Sequence, residues 1–351
     1  MRLASHGLIV AAILGWSASL AAPIRQGVDA AISFRPLVWN TDSDRRLRYE
    51  LRLTNFARDP LVVDEVQIID RRTGTRLATL SEKTLADGFG MTGSWDSQNV
   101  QLPPGREAWL YIDIQLPAAS APREIEHRFT FSDDSSSFVV HGARGALPPH
   151  ADADFGPPLK GGPWAAVYDP SAQRGHRRVV YAVAGKATIP GRFAIDWFKV
   201  DQTGKEVSGQ GEPVLAVASG VIAAVSNEFA DPDLQSPPPG PDLRNDAGNY
   251  IVLALADHRY VFYEHLQHGI RVKPGQKVRR GQVIAALGAT GHVTGPHLHF
   301  HVGSTSDPLN SEGLPFGFQQ FEILSPRSSG KPGSPLHTGM PTPNAIIRFP
   351  G

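Results

Sequence analysis

Gly295-Pro-His-Leu-His-Phe-His-Val302 sets three histidines, His297, His299 and His301, at alternate positions, with Leu298, Phe300 and Val302 filling the others. Such alternation predicts a strand with one apolar face and one imidazole face. Same-face neighbours on a strand lie roughly 7 Å apart, at a rise of about 3.3 Å per residue. A zinc ligand nitrogen must lie about 2 Å from the ion, so one metal does not readily take all three rings. The arrangement suits a division of labour, one histidine on a metal and its neighbour toward a substrate. A single histidine in this setting reads as a solvated or core-satisfied ring. Three in register beside the turn Thr294-Gly-Pro296 favour chemistry.

Outward from that strand, the chain of 351 residues is long enough for two domains with cores of their own. Lys and Arg number 34, as do Asp and Glu, so there is no electrostatic case for nucleic acid as a partner. Gly (35) and Pro (30) are abundant, which suits a β-rich, turn-rich fold. Cysteine is absent. Any zinc must then be held by histidine and carboxylate, which fits an open catalytic site and excludes a closed thiolate one.

Residues 1–22 read as a signal peptide: Arg2, an apolar run from Leu8 to Trp16, then small residues at Ser19 and Ala21. The apolar run is shorter than the ~20 residues a membrane span needs. The expectation is an exported protein, periplasmic or extracellular, with no transmembrane anchor after cleavage. Residues 30–141 read as short strands between turns. Leu47, Tyr49, Leu51 and Leu53 alternate, as do Leu110, Ile112, Ile114 and Leu116; Val62, Val66, Ile68 and Ile69, then Phe129, Phe131, Phe138 and Val140, supply further strands. This spacing predicts an antiparallel β-sandwich of immunoglobulin-like character. Residues 142–163 shift to Gly, Pro, Ala and Asp and read as a linker, 164–324 as a second globular unit, and 325–351 as a poorly ordered Pro/Ser/Gly-rich tail. The polar insertion from Phe229 to Gly248 reads as disordered or as a loop shaping access to a groove.

Upstream of the histidine strand stand Tyr260-Val-Phe-Tyr-Glu-His-Leu266, Val272-Lys-Pro-Gly-Gln-Lys-Val278, Arg280-Gly-Gln-Val-Ile284 and Leu287-Gly-Ala-Thr-Gly291. In order and spacing this resembles the lysostaphin/LytM-type zinc metallopeptidases, over about Arg192 to Val302. The resemblance implies a mainly β protein whose second unit is a LytM-type antiparallel β-sheet peptidase domain. It implies a Zn2+ cofactor, a peptidoglycan peptide or related peptide as substrate, and hydrolysis of peptide bonds in cell-wall cross-bridges. His299 matches the family's zinc-binding histidine, and His297 and His265 match its catalytic histidines. Asp196, in Ala194-Ile-Asp-Trp197 ahead of Val214-Leu-Ala-Val-Ala-Ser-Gly-Val-Ile222, matches its metal-ligand aspartate.

One position departs. Four residues before that aspartate the family has a zinc-binding histidine, and this chain has Arg192. A guanidinium has no lone pair to offer, so Arg192 does not replace the ligand. Asp196 and His299 alone leave two protein ligands where a catalytic zinc normally has three. Either another group completes the site, with His301, Asp201, His176 and His268 as candidates, or zinc binding is weak, or catalysis is lost. In the last case the domain binds cell-wall peptide or regulates another wall hydrolase. A plainer reading of Asp196 pairs it with Arg192 as an ordinary ion pair.

Overall fold

Alternating apolar residues build two facing sheets in the N-terminal part of the chain. In this computed structural model residues 27–41, 44–93, 100–117, 122–147, 153–169, 175–232, 245–324 and 336–351 are described. The expected signal peptide therefore lies outside the described residues, as does most of the 229–248 insertion. Strand Arg45–Asn55 pairs antiparallel with Val28–Ile32, Leu37–Asn40 and Glu107–Gln115, which in turn pairs with Phe89–Met91. The second sheet runs Ser137–Ala146, Glu124–Ser132, Leu61–Asp70, Arg76–Ser81, with Gln101–Leu102 also on Leu61–Asp70. Leu47, Tyr49, Leu51, Leu53, Leu110 and Ile112 from the first sheet and Val66, Ile68, Phe129 and Phe131 from the second share one buried cluster. A bulge between Val63 and Glu65 alters the alternation there, so Val63 is buried and Val62 only half-buried.

The C-terminal part is dominated by a ten-stranded antiparallel sheet. Its strands lie in the order Lys277–Val278, Gly220–Ser226, Tyr250–Ala254, Tyr260–Glu264, Leu298–Gly303, Ile195–Lys199, Trp164–Val167, Ile346–Arg348, Phe318–Ile323, Leu336–Gly339. The histidine strand is central because its alternate residues Leu298, Phe300 and Val302 are fully buried in the core beneath. Its register puts His299 opposite Asp196 on one side and opposite Glu264 on the other. Directly opposed residues share a sheet face and stand about 5 Å apart at Cβ. The hydrogen-bond ladder thus brings a carboxylate to each flank of His299.

Two expectations need correcting. The tail is not poorly ordered throughout: Leu336–Gly339 and Ile346–Arg348 are strands of the large sheet, with Ile347 and Phe349 buried. Nor is 142–163 purely a linker, since strand Ser137–Ala146 runs into it and Phe155 and Leu159 are buried in the C-terminal core. The two halves also share packing. Leu37 and Trp39 of the N-terminal sheet belong to the C-terminal core, where Trp39 meets Phe193 edge-on at 5.6 Å. No helix among the described residues is long and apolar enough to cross a membrane.

Candidate metal centre

The central strand and its two neighbours deliver the side chains, and the cross-strand register decides which atoms meet. His299 Nδ1 lies 2.9 Å from Asp196 Oδ1. The other carboxylate oxygen, Oδ2, lies 2.8 Å from Nε2 of His176. His176 arrives from outside the sheet, on the 3-10 turn His176–Arg178. Beyond His299 the line continues: its Nε2 lies 3.1 Å from His301 Nδ1, and Glu264 Oε1 is 3.8 Å from that nitrogen. His301 stacks on Phe262 at 4.3 Å, and its Nε2 is buried with no hydrogen-bond partner among the described residues.

His265 and His297 flank this array in matching ways. Nδ1 of His265 lies 3.0 Å from the Thr290 carbonyl and Nδ1 of His297 lies 2.9 Å from the Gly295 carbonyl. A carbonyl only accepts, so these partners assign the proton to Nδ1 in both rings and leave Nε2 with its lone pair. The ring centres are 4.7 Å apart, and His265 is 5.9 Å from His299. His297 Nε2 stands 3.7 Å from Asp196 Oδ1, and its ring stacks on Phe198 at 4.7 Å. His265 adopts φ +62°, a left-handed conformation unusual for a residue with a side chain, immediately after Glu264 ends its strand. Its backbone N–H donates to Ala247 O in that conformation.

Burial and neighbouring charges pull these groups apart electrostatically. Burial opposes ionisation of Asp196, yet His176 and His299 outweigh it and hold the carboxyl well below its usual range. Burial also works against protonating His299, and is overcome by Glu264 and Asp196, so that ring is raised. Burial, with His297 and His299 adding to it, drives His265 well below the usual imidazole value. His297 is lowered mainly by burial as well. Burial pushes Glu264 up.

The four residues expected from the sequence therefore come together: Asp196, His265, His297 and His299 face one site. The other candidates separate. Asp201 closes an exposed turn with Thr203 and Lys205. His268 lies in an exposed loop, its N–H donating to Asp231. Arg192 does not pair with Asp196; its guanidinium bonds Glu50 and Glu312. His176, one candidate among several in the sequence, is the residue that reaches Asp196. It stands 20 residues upstream with no spacing motif, so only its donor chemistry pointed to it. Glu264 had no signal beyond adjacency to His265.

Residues 201–311 match the family model described as Peptidase family M23. The chain carries an M23 peptidase domain. Asp196 and His176 lie upstream of the matched residues. The chain is similar to part of peptidoglycan DD-endopeptidase ShyB of Vibrio cholerae, 50% identical over 68 residues, 18% of this chain and 15% of that protein. Cell division protein DipM of Caulobacter vibrioides is 28% identical over 231 residues, 62% of this chain and 33% of DipM. Among solved structures, the catalytic domain of lysostaphin from Staphylococcus simulans is 24% identical and matches 44% of this chain and 88% of that one, at a TM-score of 0.25. The chain spans less than a fifth of ShyB's length.

The donor set formed by His299 of the M23 domain with His176 and Asp196 fits zinc. One atom each from His176, Asp196 and His299 lies within 4.8 Å of the others. Ligands about 2 Å from a tetrahedral ion stand about 3.3 Å from one another, so the 2.8 and 2.9 Å spacings need to open only slightly. Two imidazoles and a carboxylate form a three-ligand set of the catalytic kind. Glu264, His299 and His301 form a second such group, sharing His299 through its other nitrogen. A carboxylate–histidine arrangement behind a ligand is what fixes that ligand's tautomer and orientation.

Proposed function

We propose that this M23 domain is an exported zinc endopeptidase that hydrolyses peptide bonds in peptidoglycan cross-bridges. The observation carrying the reading is the convergence of three ligand atoms, from His176, Asp196 and His299, with two neutral imidazoles whose Nε2 atoms are uncommitted. We assign Asp196, His299 and His176 as ligands, and His265 and His297 as catalytic groups. When bound, zinc supplies a Lewis acid that polarises the scissile carbonyl and acidifies water. His265 and His297 supply the rest. Their depressed proton affinity keeps Nε2 unprotonated at neutral pH, ready to accept a proton from water. Once protonated, the same Nε2–H donates to the oxyanion or to the departing amine.

The competing reading, a catalytically impaired domain that binds wall peptide, drew its support from Arg192. His176 supplies a third donor and weakens that support. The substrate follows from the names of the relatives, peptidoglycan endopeptidases among them. Export rests on the Leu8–Trp16 run. We also read 30–141 as a domain of immunoglobulin-like type, on the two facing antiparallel sheets, and 164–324 as the peptidase unit with strands added from beyond residue 324. The test is release of new amino termini from purified cell walls, with added zinc and with a chelator. Chelator-sensitive release is expected; wall binding without release under either condition gives the impaired reading its case.

A further inference from the structure

His176 is the least rooted of the three proposed ligands. Asp196 and His299 sit on paired central strands, whereas His176 opens a three-residue 3-10 turn and is 40% exposed at its side chain. What fixes that turn lies in the N-terminal sheets. Arg177, the next residue, is buried and donates Nε to Glu50 Oε1 at 2.9 Å and Nη2 to the carbonyls of Tyr49 (2.9 Å) and Ile112 (2.5 Å). Arg178 donates Nη1 to Phe89 O at 3.3 Å and Nη2 to Asp87 O. Every one of these acceptors belongs to the N-terminal half.

The same carboxylate reaches the segment that carries Asp196. Glu50 Oε2 accepts from Arg192 Nε at 2.8 Å, and Arg192 lies in the turn Pro190–Phe193 just before the strand of Asp196. The two turns also touch directly: a Cβ placed on Gly191 would lie 2.9 Å from Cβ of His176. Glu50 is fully buried. A buried charge cluster is a poor device for stability alone, because desolvation offsets most of the Coulomb gain, but it fixes geometry and register well.

We infer that Glu50 is a positioning residue for the metal centre: through Arg177 and Arg192 the N-terminal sheet sets the spacing of His176 and Asp196, and so the metal affinity of the M23 domain. The inference rests on the zinc reading above. It also accounts for Arg192, since the position that supplies a ligand in the family here clamps the turn beside one.

The experiment measures zinc affinity of the full chain by chelator competition, with the visible spectrum of the cobalt-substituted protein alongside. Glu50→Gln, Glu50→Asp and Arg177→Lys are compared with wild type, each also in a His176→Ala background. Glu50→Asp and Arg177→Lys keep the charges and carry the test if Glu50→Gln does not fold. Perturbing an outer partner of a metal ligand typically lowers affinity by about 10–100-fold. At least about tenfold weakening is expected for Glu50→Asp and Arg177→Lys, with an altered cobalt spectrum, and for Arg177→Lys little further loss once His176 is alanine. Folded variants with wild-type affinity overturn the inference, as does an equal loss for Arg177→Lys with and without His176. Wild-type protein that binds no zinc overturns the zinc reading itself, a result distinct from either.

Discussion

Nε2 of His265 and of His297 carry lone pairs beside the ligand array, and removal of either ring should separate chemistry from metal binding. His265→Ala and His297→Ala are each expected to lower wall-peptide hydrolysis by roughly 10²–10⁴-fold with zinc content near wild type. Rates of amino-terminus release and elemental analysis of the same samples check this. His299→Ala and His176→Ala should do the reverse, stripping zinc from folded protein; unchanged stoichiometry in either variant would remove that residue from the site. On sequence grounds Arg192→His restores a family ligand, and the structure reverses that expectation. The change leaves Glu312 without its buried cation and Glu50 with Arg177 alone, at a cost on the order of 3–5 kcal/mol. Denaturant unfolding should show that loss, with no gain in zinc affinity. That Arg192 is no ligand was legible from guanidinium chemistry. Its partners were not, because Glu50 and Glu312 stand 142 and 120 residues away.

Strands were the most legible elements, since period-2 alternation is a local signal. The runs around Leu47–Leu53, Leu110–Leu116 and Leu298–Val302 bury the faces expected of them. Where alternation breaks, at the bulge between Val63 and Glu65, Val63 is buried and Val62 only half-buried. The last strands escaped for another reason: Leu336–Gly339 and Ile346–Arg348 are short and held by partners distant in sequence, in a segment whose composition suggests a tail. One strand makes a pH-dependent prediction. His127, on Glu124–Ser132, is fully buried, with Tyr49 O–H 2.6 Å from Nε2 and Nδ1 2.7 Å from the Ala143 carbonyl. Burial pushes its pKa down to about 4, against 6.5 for the free ring. Between those values the unfolded chain binds the proton and the folded one does not, so stability is full above about pH 6.5 and falls as pH drops toward 4. The loss amounts to about 3 kcal/mol. Unfolding midpoints measured across that range should show it, and His127→Phe, which cannot titrate, should reduce the slope, with the buried His265 and His297 supplying part of what remains.

At the scale of the molecule, the β-rich class was legible in the sequence, as were four of the five residues that converge at the candidate metal centre. The contact between the parts was not, because nothing local marks Glu50 or Trp39 as reaching across. A chain beginning after residue 153 would lose Trp39 from its core and every acceptor that holds Arg177 and Arg178. Such a fragment is expected to bind zinc more weakly than the full chain, by the same chelator competition. On the proposal of export, N-terminal sequencing from the native host should find a start close to Ala22. The two-armed grip on Glu50 also bears on inheritance. Glu50, Arg177 and Arg192 are joined by two buried ion pairs, so a lineage altering one is expected to alter the others. A lineage that sheds the N-terminal sheets leaves arginine at 192 with Glu312 as its remaining carboxylate partner, and selection there is freer to favour a residue that can bind metal itself.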